Sequence, residues 1–450
     1  MSKTNQAGHY KILEFTLLNK SLNREQNMLG LVGNFNITES MNNGAIRGSV
    51  TIFESYDILN EFPIRGQEFI RMVYSDFFDV EREEIYFVYS VDNISYGDEI
   101  NPSFMQYTLH FTSPYKFLSE NFRVQRVYKD SIAGTQLVSD YAKDAFDEYY
   151  QKPVEALFKK KLKYFINEKT TNKRTFVVPK YTPEETMNFF TRNAYSDENP
   201  LNNGMNPSQT FRFFEARDAF FFGTNEFMEY RAQSNSNSGG DEIIGRPIIE
   251  YKRNYGGSVS AESQYSAMTE ILDINFGTRV NTIDNIVQGA YRKKIYEFNL
   301  LTMNVDEKVY DYSEEANHDP KLNPIHDKLF IRENMSKEKE VHIFRDYSGP
   351  GVLGGPEIRG DTHYRELYMN KLSHFYNHNM NTLSVTVYGR NDLFAGSCVN
   401  ITLFKHAYQK TTEEEERLNG RYLVESVNSV FDGTVFKQNL KLTRGGINIS

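Results

Sequence analysis

Between Leu31 and Thr112 apolar and polar residues alternate in short runs separated by turn-forming residues, and this period of two limits the folds open to the chain more than any other feature. Successive side chains of a strand point to opposite faces, so such runs bury one face only by pairing into a sheet. Strands are predicted over Leu31–Glu39, Arg47–Phe53, Glu68–Tyr74, Ile85–Ser95 and Phe104–Phe111. Between the first two lies Asn43-Gly44, a hairpin signal because both residues tolerate positive φ. Five strands at this spacing predict a barrel or sandwich. The aromatic residues agree: 34 Phe and 30 Tyr, with no Trp, suit pleated and half-buried surfaces.

The 450 residues suffice for about two to four domains. No stretch approaches the run of about 18 apolar residues needed for a spanning helix. Met1–Lys20 lacks an apolar signal core, which predicts no secretory leader. One cysteine, Cys398, excludes an intramolecular disulfide and a thiolate-based zinc site. With 51 basic against 60 acidic side chains the net charge is −9, the wrong sign for a surface that clamps nucleic-acid phosphates.

The period changes after residue 120. Leu137, Val138, Tyr141, Ala142, Ala145, Phe146 and Tyr149 follow helical three-and-four spacing within Gly134–Tyr150. Thr182-Pro183-Glu184-Glu185 announces a second helix, to about Asn193: the Thr182 hydroxyl caps, Pro183 fits the first turn and Glu185 completes a capping box. Phe211–Glu215 and Phe220–Phe222 read as an aromatic hairpin, and Gln233–Gly240 as a polar loop. Strand character returns at Thr269–Phe276, Ala290–Thr302, Thr382–Tyr388, Cys398–Phe404, Arg421–Val430 and Thr434–Thr443. The fold class expected is mainly β with α+β parts, two antiparallel barrels being joined by α+β domains. The expected divisions are a first barrel at 1–120, an α+β domain at 121–245, a second barrel at 246–305 and 380–450, and an inserted domain at 306–379. An internal echo links the barrels: Gly66 leads into Glu68–Val73 as Gly396 leads into Cys398–Leu403, so the same module is expected twice.

No group of residues makes a case for catalysis. Gly349-Pro350-Gly351-Val352-Leu353-Gly354 matches a dinucleotide fingerprint, but Gly355, Pro356 and Gly360 delay any helix to about Asp361, and a Gly/Pro loop is the better reading. His374 and His378 lie one turn apart on a helix predicted over Asp361–His378. His363 sits about 16 Å along the axis, and no Glu stands between the close pair, so a metal site is not expected. Lys159, Lys160, Lys161, Lys163, Lys169, Lys173 and Arg174 form a basic cluster, either a solvated face or a grip for an acidic partner. Glu413–Glu416 reads as an exposed loop tip. No nucleophile elbow or P-loop is present, so no catalytic, cofactor-binding or metal residue is expected, nor any cofactor. The residues singled out are structural: Asn43, Gly44, Gly66 and Gly396 at turns, and Thr182, Pro183 and Glu185 at a helix cap.

The segment from Glu39 to Asp76, a hairpin followed by SVTIFESYDILNEFPIRGQEFIRMVYSD, resembles the first barrel of the central baseplate hub protein of contractile-tailed, T-even-like bacteriophages. Residues 176–196 and 211–224 are similar to that family's α+β domain. Residues 383–404 and 421–446 resemble its closing barrel and the hub region of type VI secretion spike proteins. The resemblance runs through nearly the whole chain in order and is poorest at 303–380. It implies a non-enzymatic virion protein of the tail baseplate, assembled in the host cytoplasm. The implied form is a homotrimer whose six modules ring the DNA channel and adapt the six-fold tail tube to a three-fold spike. The implied partners are a separate trimeric spike protein, the tail tube or a tube initiator, and tape-measure and wedge proteins, with DNA passing through the lumen unbound. Alternatives are the hub of a non-phage contractile injection system, a tail-associated glycan-binding protein, or a hydrolase.

Overall fold

The computed structural model describes residues 6–19, 23–56, 58–62, 64–97, 105–129, 136–171, 176–196, 210–233, 248–253, 264–277, 283, 292–299, 303–311, 339–344, 381–404, 418–433 and 435–444. The Gly/Pro loop at 349–354, the helix predicted over Asp361–His378 with its three histidines, the run Glu413–Glu416, and Lys173 and Arg174 lie outside the described residues, as does all but the first residue of the Gln233–Gly240 loop.

The amino-terminal strands are β1 (Lys11–Asn19), β2 (Arg24–Asn27), β3 (Val32–Ser40), β4 (Arg47–Glu54), β5 (Phe69–Ser75), β6 (Glu81–Tyr96) and β7 (Met105–Thr112), with a one-turn helix α1 (Ile58–Glu61). They are ordered β3-β4-β7-β6-β5-β1-β2, every neighbour antiparallel. Alternation places Phe15, Phe35, Val50, Ile52, Ile70, Met72, Tyr86, Val88, Tyr107 and Leu109 in one core. This is module A.

The middle of the chain supplies α2 (Pro114–Glu120), β8 (Val124–Tyr128), α3 (Val138–Phe146), α4 (Lys152–Phe158), β9 (Tyr164–Asn167), β10 (Phe176–Tyr181), α5 (Pro183–Asn193), β11 (Arg212–Glu215), β12 (Ala219–Gly223) and α6 (Asn225–Gln233). β8 pairs with β10, and β12 lies between β11 and β9. The helix predicted over 134–150 begins at Val138 and reaches α4 through a π-helical turn at Asp147–Gln151. That widened turn, followed by Pro153 early in α4, explains why the helical period holds but the end lies later than predicted. The core is aromatic, with Tyr115, Phe146, Tyr150, Phe213 and Phe220 meeting ring to ring.

The remaining elements are β13 (Ile249–Lys252), α7 (Gln264–Ala267), β14 (Ile271–Phe276), β15 (Arg292–Asn299), β16 (Asn304–Asp311), β17 (Lys339–Phe344), β18 (Asn381–Tyr388), β19 (Cys398–Thr402), β20 (Gly420–Asp432) and β21 (Val435–Arg444). β15, expected in the second barrel, instead pairs with β16 and β17 in a separate three-stranded sheet. The other strands are ordered β14-β18-β21-β20-β19-β13 around a second core that includes Val385, Val387, Val399, Ile401, Val424 and Leu440. This is module B.

Modules A and B share both chain order and sheet order: β1, β3, β4, β5, β6 and β7 correspond to β13, β14, β18, β19, β20 and β21. The registers align residue by residue. Ser49-Val50-Thr51-Ile52-Phe53 lies on β7 as Ser384-Val385-Thr386-Val387-Tyr388 lies on β21. Both long strands carry a one-residue bulge at the same place, Val88-Tyr89-Ser90 and Val424-Glu425-Ser426. The last pair differs, since β1 runs antiparallel to β5 whereas β13 runs parallel to β19.

The two modules are joined edge to edge. β20 pairs with β3 from Ser426↔Ser40 to Phe431↔Phe35, which makes one 13-stranded sheet, and the bridge of Lys252 in β13 to Glu270, just before β14, brings the outer strands of module B together. At that seam Phe431 stacks between Phe35 and Phe436, at 3.9 Å and 4.1 Å, inside the core of module A. Among the described residues no helix is long and apolar enough to cross a membrane.

Candidate functional site

The most densely charged buried region lies where module A meets the middle unit. β6 sends Arg82 and Glu84 inward, on the same strand face as Tyr86 and Val88. The turn between β11 and β12 supplies Glu215, Arg217 and Asp218, β3 supplies Glu39, and Lys163 stands just before β9. Arg82 Nη2 lies 2.8 Å from Glu84 and 3.4 Å from Asp218. Lys163 Nζ lies 2.8 Å from Glu215, whose side chain is 0% exposed. Glu215 also accepts hydrogen bonds from the Ser113 hydroxyl at 2.6 Å and the Ile46 amide at 3.0 Å, while the Lys163 amide donates to the Tyr115 hydroxyl at 2.9 Å.

Burial and pairing compete at each group. Burial is the largest single influence on Lys163 and Arg82 and lowers both, but the surrounding groups, led by Glu215 and Glu84 respectively, together outweigh it, so both cations are held above their ordinary values. Asp218 is held below the usual carboxylate range because Arg82, Arg217 and Lys163 overcome its burial. Glu39 is pushed up by burial, against the pull of Arg217. Arg217 is lowered by burial and by neighbouring Arg82, and its Nε and Nη1 make no hydrogen bond. Taking such charges out of water costs several kcal/mol each, of order, which only mutual pairing offsets, so the cluster enforces one docking geometry. Its members are buried except Asp218, whose side chain is half-exposed at the rim, an arrangement suited to fixing units together.

None of the residues singled out from sequence belongs to this charged cluster, and they lie at several places in the fold. Asn43 and Gly44 lie in the β3–β4 connection, where the Asn43 amide donates to the Ser40 carbonyl at 3.1 Å. Neither has positive φ. A Cβ on Gly44 would meet Glu184 Oε1 at 2.8 Å, the movable end of a flexible side chain, so neither φ nor space demands glycine there. Neighbouring Asn42 bonds both Glu425 of β20 and Arg212 of β11, so this connection ties all three units together. Gly66 and Gly396 do have positive φ, +76° and +89°, and each precedes a strand. The sheet register corrects the echo by one residue: Phe69 opposite Phe87 corresponds to Cys398 opposite Leu423, not to Val399. Thr182 Oγ1 accepts from the Glu185 amide at 3.2 Å and Glu185 Oε2 accepts from the Thr182 amide at 2.8 Å, with Pro183 in the first turn.

The basic cluster divides. Lys159, Lys160 and Lys161 are exposed, Lys161 resting over the Tyr164 ring, whereas Lys163 turns inward to Glu215. The joint was missed in the sequence, yet it left two signals: Arg82 and Glu84 occupy the strand face of Tyr86 and Val88, and Glu215–Asp218 is a charged turn between strands made of phenylalanine. Elsewhere a recess of about 360 Å³ lies among Arg24, Gln26, Leu31, Tyr56, Ile58 and Phe62, and no group of metal-ligating side chains occurs among the described residues.

No protein-family model and no curated protein sequence matches the chain. Solved structures do. A tail protein from Neisseria meningitidis aligns with a TM-score of 0.50 at 11% identity, over 97% of each chain. The 43 kDa tail protein of prophage MuSo2 from Shewanella oneidensis aligns at 0.49 and 9% identity, over 96% of this chain and 98% of its own. A chain of the Francisella PdpA–VgrG complex aligns at 0.49 and 10% identity over all of this chain and 55% of that one. From module A through the middle unit to module B, the chain has the fold of a tail protein, as its alignment with the Neisseria structure from end to end shows.

Proposed function

We propose that the chain is the central hub of a contractile-tail baseplate, a non-enzymatic homotrimer that adapts a six-fold tail tube to a three-fold spike and encloses the DNA channel. One observation carries this reading: two modules with the same strand order, the same bulge and a shared seam lie in one chain, so three copies present six near-equivalent modules to a six-fold tube while keeping three-fold symmetry toward a spike. The likeness of the whole chain to a tail protein supports the setting, and the net charge of −9 supports a channel that repels rather than retains phosphates. The partners that follow are a separate spike, the tube or its initiator, and tape-measure and wedge proteins. The place of action is the tail baseplate of the virion. Light scattering with negative-stain microscopy of the purified chain tests this. A ring-shaped trimer is expected, and a monomer at micromolar concentration, alone and with its spike, would sink the proposal.

A further inference from the structure

Asn43-Gly44 is a sequence signal whose expected role the fold does not use. A two-residue hairpin turn of that kind needs positive φ at both residues, and here neither has it. Space does not demand Gly44 either, since the Glu184 carboxyl that a Cβ would meet can swing aside. What the pair does carry is a reaction of its own. Asparagine is chemically labile, and with glycine after it no Cβ screens the backbone nitrogen that attacks its side chain.

Two such pairs lie among the described residues, Asn43-Gly44 and Asn419-Gly420, and the fold treats them oppositely. Asn419 Oδ1 accepts from the Leu403 amide at 2.6 Å and the Asn419 carbonyl accepts from Arg444 at 2.8 Å, so side chain and backbone are both held. Asn43 is exposed, and among the described residues neither its side chain nor the Gly44 amide makes a hydrogen bond.

We infer that Asn43 is a site of spontaneous deamidation, and that the change loosens the joint between the modules and the middle unit. The Gly44 nitrogen bonds to Asn43 Cγ, the Cγ–Nδ2 bond breaks, and ammonia leaves with the proton that the Gly44 nitrogen gives up. Water then opens the succinimide at either carbonyl. One opening leaves an aspartate, and the other an isoaspartate, whose backbone runs through Cγ and is longer by one methylene. Nothing is oxidised or reduced, and water is the only co-reactant.

The connection has no slack for either product. Just before it, the Met41 amide donates to the Glu425 carbonyl at 2.9 Å, and the Asn42 side chain bonds Glu425 and Arg212. Just after it, the Ile46 amide donates to Glu215 at 3.0 Å and the Ile46 carbonyl accepts from the Ser113 amide at 3.0 Å. An extra methylene between two fixed points displaces one of them. A new carboxylate meets repulsion from Glu184 and Glu425, which already flank the turn.

The test incubates the purified full chain at mildly alkaline pH, which favours attack by the Gly44 nitrogen, and follows peptides by mass spectrometry with isoaspartyl methyltransferase labelling. Deamidation at Asn43 is expected to be several-fold faster than at Asn419, to stop in Asn43→Gln and to slow sharply in Gly44→Ala. Intact Asn43, or equal rates at Asn43 and Asn419, overturns the site. A difference that persists unchanged in urea traces it to local sequence and overturns the part given to the fold. Hydrogen exchange of the aged chain, returned to neutral pH, reads the consequence. Amides at 46 and 212–215 are expected to lose protection in the unmodified sequence and to keep it in equally aged Asn43→Gln. Conversion of Asn43 with exchange unchanged overturns the loosening.

Discussion

Modules A and B keep one strand order but dock the middle unit by different means. Module A presents charge, with Arg82, Glu84 and Glu39 set against Lys163, Glu215, Arg217 and Asp218. Module B presents hydrocarbon: Ala395, Cys398 and Leu423 pack with Phe214, Phe221 and Met228 of the middle unit, joined by Met41 from module A. Backbone pairing is set by chain order and bulges, so it persists when side chains change. The faces turned to a third body answer only to that body. A buried ion-pair seam demands one geometry, because a misplaced charge has no water to turn to, whereas an apolar seam tolerates small slips.

Breaking the polar seam has the largest expected effect. Lys163→Ala strands the Glu215 carboxylate in a site without water and is expected to cost about 3–5 kcal/mol. Leu423→Ala at the apolar seam leaves a cavity and is expected to cost about 2–4 kcal/mol. Denaturant unfolding of both variants checks the order, and a Lys163→Ala cost below that of Leu423→Ala would mean that the charges merely coexist. Lys163→Met, which removes the charge but keeps the volume, is expected to be nearly as harmful unless Glu215 is changed to Gln as well.

The seams are also expected to respond to opposite changes of pH. Glu168, next to the Thr224 amide that donates to it at 2.6 Å, has its carboxyl pushed up to about 7 by burial, with Thr224 opposing. A raised carboxyl stabilises the fold below its unfolded value near 4.5, and that stability is lost as pH rises toward 7. The loss is on the order of 3 kcal/mol. Thr224 caps the start of α6, which carries Met228 into the apolar seam, so module B loosens as pH rises from about 4.5 to about 7. Asp218 is depressed, so its contribution is present above its ordinary value of 3.8 and lost as pH falls below it, loosening module A in acid. Glu168→Gln should flatten the melting temperature between pH 5 and 8 while leaving the acid limb in place.

Much of the sheet was legible because a buried face enforces period two: β3, β4, β5 and β7 start and stop within about two residues of expectation. β1 was not read, because its alternation slips at the bulge between Ile12 and Glu14. The separate sheet of β15, β16 and β17 was invisible because β15 has the same local pattern whichever sheet receives it. The joint was harder still. A charged side chain on a strand reads as solvent-facing until the element that covers it is known, and Arg82 and Lys163 are covered by segments more than 50 residues away. The glycine echo pointed to the duplication one residue out of register, and the stronger match, Ser49–Phe53 with Ser384–Tyr388, needed the sheet to set the register.

The two turn glycines give the smallest expected effect and the finest comparison. Both have positive φ, so valine at either position carries backbone strain of about 1–3 kcal/mol. Their surroundings differ. A Cβ at Gly66 would come 3.3 Å from the carbonyl of Tyr89, the bulged residue of its own module, an approach tighter than most side chains make. At Gly396 it would come 2.9 Å from the Phe214 ring of the middle unit, with Met228 close behind. Gly396→Val therefore adds a clash at the apolar seam to the strain the two share, and its cost should exceed that of Gly66→Val. Gly396→Ala against Gly66→Ala repeats the comparison with a single methyl. The shared loop geometry is an equivalence of backbone alone if the Gly396 variants lose contact with the middle unit, seen as faster exchange at α6, while the Gly66 variants do not. Equal costs and unchanged exchange at α6 in both would instead mean that the middle unit yields to the added methyl, and that the apolar seam is the looser of the two.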